Sequence, residues 1–400
     1  MHDSEPHKGC FVLWWFISPK IIFGEDALEQ LRSVEGKRVL VVTDQVLAKL
    51  GMLELVLKEL KYEERSLAVF DQVEAEPSFE NVEKIAELAR SFQPDLIVSL
   101  GGGSCIDAGK AAWILYERPD LKLEEVSPLT PLGLRKKARL VAIPTTAGTG
   151  SDSTWVAVLT DNAQKLKVDY IASRELTPDF SILDPRFIVN LPSQSTAYTG
   201  LDALTQGIEA YVSQWQNDFT DGLAIRCVQL VFEYLPKAFD KPADLLARQK
   251  TQNAATMSGL AFGNAQVGLA HAMGHSLGAV LHMPHGLAVA LSNLYVIPFS
   301  QPSAPERYRE IAHAIGIEET SAEQATTRLV KSIKDLMTQL KVPLCLREAG
   351  ISRDLFDQNI DSLVEKTNAS TCTFVNPRVP NLEEIRKLFA CMYEGREVDF

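Results

Sequence analysis

The stretch Asp95-Leu-Ile-Val-Ser-Leu-Gly-Gly-Gly-Ser-Cys-Ile106 decides the fold. It opens with a largely apolar run that does not alternate, which is typical of a parallel strand covered on both faces. Three glycines and a serine then lead into a segment that predicts a helix beginning near Ile106. Backbone amides at such a helix N-terminus can bind a phosphate that only glycine lets approach closely. The stretch therefore predicts a pyrophosphate site in an α/β fold, although a tight strand-to-helix turn would use the same glycines.

The flanking sequence repeats this alternation of strand and helix from Arg38 to Ile143, which is the pattern of βαβ units. Between two of the strands, Val82, Ile85 and Ala89 recur at helical spacing. A polar turn separates two later runs and predicts a hairpin. The predicted strands are residues 10–17, 38–44, 95–100, 138–143, 155–160, 166–171 and 180–183.

The second half of the chain has a different pattern. Beyond about Leu191, β-branched runs almost vanish, and long segments rich in Ala, Leu, Glu and Gln recur with a period near 3.6. We therefore expect an α/β domain with a parallel sheet over residues 1–187 and an all-helical domain over residues 188–400. The sequence shows no internal repeats and no long linkers.

Composition and charge exclude several classes of protein. The 400 residues carry 40 basic and 52 acidic side chains, a net charge of −12 that repels nucleic acid and anionic lipid surfaces. No run approaches the roughly 18 apolar residues of a membrane helix. Six cysteines are spread out without a CxxC pair, which suits a reducing compartment. We expect a cytoplasmic protein with no nucleic-acid or membrane partner.

A second polar loop, Pro144-Thr-Thr-Ala-Gly-Thr-Gly-Ser-Asp152, follows another predicted strand. Its hydroxyls could bond phosphate, ribose or amide groups at the edge where open α/β sheets bind ligands. Asp44 ends an earlier strand and could accept the ribose hydroxyls of NAD while repelling a 2′-phosphate. The alternative for the loop is a turn that binds no ligand, and the alternative for Asp44 is a solvated acid at the end of a strand. The fingerprint GxGxxG is absent, which argues against a standard Rossmann dehydrogenase.

Histidine is concentrated in one segment. Seven histidines occur in the chain, and four of them fall within residues 271–285. His271 and His275 are four residues apart and share a helical face, and His285 follows closely. This density favours a metal or catalytic site over satisfied core histidines. It does not indicate a zincin, because HExxH requires a glutamate where Ala272 stands.

Polar side chains that could complete a metal site lie further upstream. Asp202, Gln206 and Glu209 are spaced i, i+4 and i+7, so they share one face of a predicted helix. A divalent metal needs a carboxylate or further histidines beside the two imidazoles. An exposed acidic face is the alternative that periodicity alone would favour, and the role of this face stays open on that evidence.

Together these motifs resemble those of the iron-dependent, or group III, alcohol dehydrogenase family. The likeness runs in the right order from about residue 16 to residue 393. It implies an α/β N-terminal dinucleotide-binding domain with a Rossmann-like parallel sheet, an all-α C-terminal metal-binding domain and a catalytic cleft between them. The matching stretches are residues 101–110, 144–151, 202–211, 271–286 and 373–378.

The resemblance also implies which residues form the site. His275 matches a histidine beside the nicotinamide that is not a metal ligand and could shuttle the alcohol proton. The residues matched to the metal are Asp202, Gln206, His271 and His285. Those matched to NAD are Asp44, Gly101, Gly102, Gly103, Ser104, Asp107, Thr145, Thr146, Ser151 and Lys167.

Gln206 departs from the family pattern, which usually has histidine at this position. A neutral amide oxygen is a weaker ligand than imidazole for iron(II), so the resemblance implies a weakened site. The related glycerol dehydrogenases hold zinc with one aspartate and two histidines, which Asp202, His271 and His285 would supply. The alternative is a degenerate site that no longer holds metal.

The sequence thus predicts reversible hydride transfer between NAD(H) and a small alcohol or aldehyde, with iron(II), or else zinc, as a Lewis acid. One rival is an NAD-binding relative with a degenerate metal site that is inactive or metal-independent. A second rival is a non-haem metal hydrolase or oxygenase, since two histidines and a carboxylate also describe its triad. The NAD loops argue against that second rival. Similar proteins are commonly homo-dimers, and we expect one here.

Overall fold

The computed structural model of the chain describes residues 15–61, 64–129, 131–161 and 166–400. Six strands form one sheet in which every neighbouring pair is parallel, so the predicted α/β class is confirmed. The remaining two strands form a separate antiparallel hairpin, as predicted. The strands within the described residues are β1 (Lys20–Phe23), β2 (Arg38–Val42), β3 (Ser66–Phe70), β4 (Leu96–Gly101), β5 (Arg139–Pro144), β6 (Val156–Asp161), β7 (Leu166–Ala172) and β8 (Phe180–Leu183).

The first strand differs from the prediction. We expected it at residues 10–17, of which 10–14 lie outside the described residues, and residues 15–17 form no strand. The Ile17 backbone instead bonds a side chain of the helical half: its N–H donates to Asn264 Oδ1 at 2.9 Å, and its carbonyl accepts from Asn264 Nδ2 at 3.0 Å. Pro19, which has no N–H, separates this segment from β1.

Helices flank the sheet and then make up the C-terminal half, as the change in periodicity predicts. The helix after the glycine-rich loop begins at Gly103 rather than near Ile106, because Gly102 takes the N-cap position. The α-helices are α1 (Gln45–Lys49), α2 (Met52–Leu60), α3 (Phe79–Phe92), α4 (Gly103–Glu117), α5 (Ser193–Val212), α6 (Asp218–Asp240), α7 (Leu245–Ala265), α8 (Leu269–Leu281), α9 (His285–Ser300), α10 (Pro305–Ala314), α11 (Ala322–Gln339), α12 (Arg353–Ala369), α13 (Thr371–Val375) and α14 (Leu382–Glu394).

The carboxyl ends of the central strands meet at one edge of the sheet, whose order is β1-β8-β5-β4-β2-β3. Val42 of β2 lies beside Ser99 of β4, and Gly101 of β4 lies beside Pro144 of β5. The chain leaves β2 toward β3 on one side and β4 toward β5 on the other, so the direction of winding reverses between β2 and β4. Open α/β sheets bind ligands in the crevice at that point, where Asp44 and the glycine-rich loop lie.

Apolar layers cover both faces of the sheet, and a third core fills the helical half. α3 and α4 pack on one face around the buried Trp113, and α1 and α2 pack on the other around Val56. The helical core draws on side chains from α5 to α14. Among the described residues, no helix is long and apolar enough to cross a bilayer. The placement of a domain boundary at residue 187 stays a prediction.

Candidate active site

The glycine-rich loop joins β4 to α4 at the crevice. A Cβ added to Gly102 would lie 3.3 Å from Thr146, and one added to Gly103 would lie 3.1 Å from Thr149. Glycine is therefore favoured because the second polar loop packs directly on the first. Since Gly102 is the N-cap residue, no side chain of the cap bonds the first amides of α4. These amides can bind a phosphate.

Asp44 lies across the crevice from this loop and caps α1. Its Oδ1 accepts hydrogen bonds from the amides of Val46 at 2.8 Å and Leu47 at 2.9 Å. Its Oδ2 accepts a longer one from the Cys105 thiol of α4, at 3.5 Å. Burial and the neighbouring Asp44 carboxylate raise the pKa of that thiol. Oδ2 keeps a lone pair that could accept from a ribose hydroxyl.

The second polar loop follows β5 and connects the sheet to the helical half. A Cβ added to Gly148 would lie 2.6 Å from Thr199 of α5, which is one turn before Asp202. A Cβ added to Gly150, whose φ is 62°, would lie 2.6 Å from the Cα of Gly259 in α7. The second polar loop therefore bridges the glycine-rich loop and helices α5 and α7, and this junction is the candidate cleft.

Three further residues matched to the cofactor lie around this cleft in different ways. The Thr145 amide donates to Gly101 O at 3.0 Å, which links the two loops. The Ser104 hydroxyl donates to Ala75 O at 2.6 Å, so its proton is used within the protein. Lys167 lies in β7 of the hairpin. Ser104 can therefore offer its amide and a lone pair of its hydroxyl to a ligand.

Ser151 lies over a buried group of charges. Its hydroxyl donates to Asp107 and accepts from Lys110 Nζ at 3.2 Å, while the Val158 amide donates to the second Asp107 oxygen at 3.0 Å. Burial lowers the pKa of Lys110 to about 8 and raises the pKa of Asp107. The protein itself therefore bonds both carboxylate oxygens of Asp107.

A candidate metal centre forms where α5, α8 and the first residue of α9 converge. Asp202 Oδ1 lies 3.4 Å from His271 Nε2 and 3.6 Å from His285 Nε2. One ligand atom from each residue falls within 4.8 Å of the other two. Asp202 is 2% exposed, and its Oδ1 makes no hydrogen bond with any described residue. A buried carboxylate oxygen left without a hydrogen bond between two imidazole nitrogens fits a divalent cation.

Glu209 fixes the orientation of His271. One Glu209 oxygen bonds His271 Nδ1, and the other accepts from the Ala270 amide at 2.6 Å. The imidazole therefore directs Nε2 toward Asp202. Burial lowers the pKa of His271, but the Glu209 and Asp202 carboxylates outweigh it and raise that pKa to about 9. A carboxylate behind a ligating histidine is a common way to orient it and raise its basicity.

Gln206 lies one turn after Asp202 and contacts α7. Ser258 Oγ is 2.6 Å from Gln206 Oε1 and 2.7 Å from Ala255 O. A hydroxyl has one proton and cannot donate to both oxygens. If it donates to Ala255, the Gln206 amide presents its Nε2 to Ser258, and its Oε1 is directed away from α7. In either orientation, the end of the Gln206 side chain is held by Ser258 of α7.

His275 completes a group of three imidazoles. Its ring centroid lies 5.9 Å from that of His271 and 5.4 Å from that of His285, and the His275 and His285 rings stack at 20°. His271 is buried, whereas the His285 side chain is 41% exposed. A proton held by His275 thus lies beside the candidate metal centre.

Two residues of the site had no role in the sequence interpretation. Glu209 was placed on the face of Asp202, and its i+7 spacing was the available signal. Lys110 closes the glycine-rich motif within the stretch Asp-Ala-Gly-Lys-Ala-Ala-Trp, where two opposite charges three residues apart among small and apolar residues indicate a buried pair. The periodicity of the sequence alone does not predict which residues Glu209 and Lys110 contact.

The order of these elements agrees with the family resemblance, and matches to family models establish the family of the chain. Residues 18–185 match the model described as iron-containing alcohol dehydrogenase. Residues 196–393 match the C-terminal model of the Fe-containing alcohol dehydrogenase family. The chain belongs to the iron-containing alcohol dehydrogenase family. The resemblance carried by its motifs is thereby confirmed.

Individual alcohol dehydrogenases are similar over almost the whole chain. An NADPH-dependent butanol dehydrogenase of Clostridium saccharobutylicum is 39% identical, over 95% of this chain and 98% of its own length. A bifunctional aldehyde-alcohol dehydrogenase of Escherichia coli is 37% identical over 96% of this chain. The chain spans 47% of that longer relative.

Solved structures of two oxidoreductases share the fold. A 1,3-propanediol oxidoreductase superposes with a TM-score of 0.89 at 32% identity, over 96% of this chain and all of its own. A sulfoacetaldehyde reductase from Bifidobacterium kashiwanohense in complex with NAD superposes with a TM-score of 0.84 at 26% identity, over 95% of this chain and 99% of its own. The parallel-sheet half followed by a helical half is therefore the family architecture.

Proposed function

We propose that this iron-containing alcohol dehydrogenase interconverts a small alcohol and its aldehyde with NAD(H). In the reducing direction, NADH gives a hydride to the carbonyl carbon and a proton is added to the oxygen, which yields the alcohol and NAD. The observation that carries the proposal is the Asp202 oxygen held between two imidazole nitrogens beside both cofactor-type loops. Relatives named for butanol, propanediol and sulfoacetaldehyde support a short substrate.

The metal would be held by Asp202, His271 and His285, with Gln206 as a fourth and weaker donor. When bound, a divalent metal acts as a Lewis acid on the substrate oxygen. Family membership favours iron(II), and a site of one carboxylate and two imidazoles with an open position also suits zinc. The degenerate-site alternative is not favoured, because the buried Asp202 oxygen keeps its ligand geometry. A hydrolase or oxygenase is not favoured by the family.

On the cofactor side, the amides of Gly102, Gly103 and Ser104 would bind the pyrophosphate at the start of α4. Gly101, Thr145, Thr146, Ser151 and Lys167 keep the cofactor roles that the motif implies. Asp44 would accept from a ribose hydroxyl, and its charge would disfavour the 2′-phosphate of NADPH. We therefore propose NAD as the cofactor, in contrast to the NADPH-dependent butanol dehydrogenase.

His275 would move the proton of the alcohol. Its ring lies beside His285, which is partly exposed, so a proton could pass from the substrate oxygen through His275 to solvent. The chain's own groups thus supply orientation and proton transfer around the reacting carbon.

We also propose a homo-dimer in the cytoplasm. Four aromatic side chains near the start of the described chain and near α6 are strongly exposed: Trp15 at 62%, Phe16 at 41%, Phe23 at 63% and Phe219 at 72%. The Phe16 and Phe219 rings lie 5.8 Å apart and form one apolar surface. Such surfaces commonly mark protein contacts. No disulfide joins the five described cysteines, which supports a reducing compartment.

The decisive experiment strips the protein with a chelator and restores iron(II), zinc or no metal. NADH absorbance is then followed with a panel of short aldehydes. We expect turnover with a metal and none without one. Turnover that is equal with and without metal would contradict the proposed metal site. NADH binding without turnover under any metal would favour the degenerate-site alternative.

A further inference from the structure

Lys110 is a fully buried lysine with no part in the reaction as proposed. Its Nζ donates to Ser151 Oγ at 3.2 Å, to Thr154 Oγ1 at 3.3 Å and to the Val156 carbonyl at 2.8 Å. An ammonium group carries three protons, so these three acceptors use all of them. The lysine therefore has nothing left to offer a ligand directly.

Asp107 completes the surroundings of the Ser151 hydroxyl. Ser151 donates its proton to Asp107 Oδ1, and the Val158 amide donates to Asp107 Oδ2 at 3.0 Å. A serine hydroxyl has one proton and two lone pairs. The proton goes to Asp107 and one lone pair accepts from Lys110, so a single lone pair is left for a further donor.

Ser151 also keeps a single unused lone pair if a proton moves from Lys110 to Asp107. A neutral Lys110 keeps its bonds to Thr154 and Val156 and accepts the Ser151 proton, while a protonated Asp107 donates to Ser151. Burial moves both groups toward this neutral arrangement, since it lowers the pKa of Lys110 to about 8 and raises that of Asp107. In either arrangement, Ser151 can only accept a hydrogen bond from a ligand.

The position of the loop decides which part of the cofactor lies near this acceptor. Thr146 and Thr149 of the loop pack on Gly102 and Gly103, where α4 would bind the pyrophosphate. Gly148 and Gly150 pack on α5 and α7, beside the candidate metal centre. Ser151 follows Gly150, which packs on Gly259 of α7, and the adjacent Ser258 contacts Gln206 of the candidate metal centre. Ser151 therefore lies on the side of the loop that approaches the reacting end of the cofactor. Phosphate oxygens carry no proton for an acceptor, whereas the nicotinamide carboxamide carries two N–H groups.

We propose that Ser151 accepts a hydrogen bond from the carboxamide N–H of the nicotinamide, and that Lys110 and Asp107 are positioning residues that keep the Ser151 hydroxyl an acceptor. This inference rests on the proposed binding of NAD(H). It gives the buried lysine and aspartate of the glycine-rich motif a function in orienting the ring whose C4 exchanges the hydride. A change at either buried residue then alters recognition of the ring and not of the pyrophosphate.

The test compares the dissociation constants of NADH and of its reduced 3-acetylpyridine analogue, in which a methyl group replaces the amide NH₂. Protein fluorescence of the metal-loaded enzyme reports both. We expect the wild type to bind the analogue about 10-fold more weakly, because the Ser151 acceptor loses its donor. Equal binding of the two compounds by the wild type would overturn the inference without any variant.

The variant Asp107→Asn should reverse the polarity of Ser151. Its amide oxygen is needed by the Val158 N–H, so its NH₂ faces Ser151 and donates. Ser151 then accepts from both neighbours, and its proton is free to donate to the carbonyl that both compounds possess. We expect the 10-fold discrimination to fall to about 1. Retained discrimination in this variant would overturn the role of Asp107.

Asp152→Asn is the matched control. Asp152 is a buried carboxylate of the same loop, but it accepts from Ser181 at 2.7 Å and Thr256 at 3.0 Å instead of Ser151. The same chemical change there should leave the discrimination near 10-fold. A fall equal to that of Asp107→Asn would show a general disturbance of the loop and would overturn the inference.

Ser151→Ala provides a second variant and separates the ring from the rest of the cofactor. It should lower the discrimination to about 1 while leaving the affinity for ADP-ribose, which lacks nicotinamide, within about twofold of the wild type. An equal loss of affinity for ADP-ribose and NADH would assign Ser151 to a ribose or the pyrophosphate and overturn the inference. A folded wild type that binds neither NADH nor ADP-ribose would instead defeat the proposed function itself.

Discussion

The cofactor loops and the metal cluster differ in whether their buried charged groups have hydrogen-bond partners within the protein. Around Ser151, the protein satisfies each charged group itself: Lys110 has three acceptors, and both oxygens of Asp107 are bonded. In the metal cluster, Asp202 Oδ1 has no hydrogen bond with any described residue, although it is buried between His271 and His285. One region is complete without its ligand, and the other is not.

This difference has a physical consequence. A network whose hydrogen bonds are all satisfied holds its geometry in the absence of ligand, so the cofactor site around Ser151 is preorganised. An unsatisfied buried carboxylate costs free energy until a cation binds, so metal binding should stabilise the fold as well as the transition state. Substitutions in the metal cluster should therefore remove activity and metal-dependent stability together. Substitutions in the cofactor loops should change recognition.

The largest effect is expected for Asp202→Ala. Loss of the carboxylate should abolish metal binding and lower kcat/KM by about 10³-fold, equivalent to about 4 kcal/mol of transition-state stabilisation. Metal content by mass spectrometry and turnover of NADH with a short aldehyde measure this. NADH affinity, which depends on the other region, is the internal control and should stay within about twofold.

Thermal unfolding adds a second measurement to that comparison. Metal should raise the Tm of the wild type, because a ligand bound by the folded state stabilises it by mass action. The Asp202→Ala protein should show no such rise. A variant that keeps its metal and its turnover would contradict the assignment of Asp202.

Glu209→Gln should have a smaller effect. The amide can still accept from the Ala270 N–H but cannot hold His271 Nδ1–H as strongly, so metal affinity should fall about 10- to 100-fold. Competition with a chelator of known affinity measures the change. Glu310→Gln is the matched control, since Glu310 accepts from Tyr211 at 2.6 Å on α5 and does not contact the cluster. An equal loss in both variants would point to α5 as a whole.

Gln206→His tests the departure from the family pattern. An added imidazole should tighten iron(II) by about 10-fold or more, since nitrogen is the better ligand for a borderline cation. Titration of the metal-free protein with iron(II) under anaerobic conditions gives the affinity. Ser258→Ala is a second variant for the same titration, because it removes the hydrogen bond that holds the end of the Gln206 side chain to α7. Unchanged iron(II) affinity in Gln206→His would mean that this position does not face the metal.

Part of the fold could be predicted because the relevant forces are local. β2 and β4 are continuous apolar runs that a buried parallel strand requires, and the N-cap Ser78 accepts from the Asn81 amide at 3.1 Å where the helix was expected. β3, at the edge of the sheet, has only exposed and half-buried residues and was not predicted. Its pairing with β2 decides its structure more than its own composition does.

The site was less accessible to such reasoning. Asp202, His271 and His285 come together only through the packing of α5, α8 and α9, so their grouping was implied by the family resemblance rather than by spacing. The contact of Glu209 with His271 and that of Ser258 with Gln206 depend on how neighbouring helices are placed. No local pattern in the sequence records those distances.

The smallest effect is expected at Asp44, in the region that is already satisfied. Asp44→Ser should keep the cap on α1 while removing the charge that repels a 2′-phosphate. The ratio of kcat/KM for NADPH to that for NADH should rise about 10-fold, equivalent to about 1.4 kcal/mol. Asp44→Ala should shift the ratio similarly but also cost about 1 kcal/mol of stability through the lost cap. An unchanged ratio in both variants would mean that Asp44 serves only to cap α1, and the preference for NAD would then need another residue.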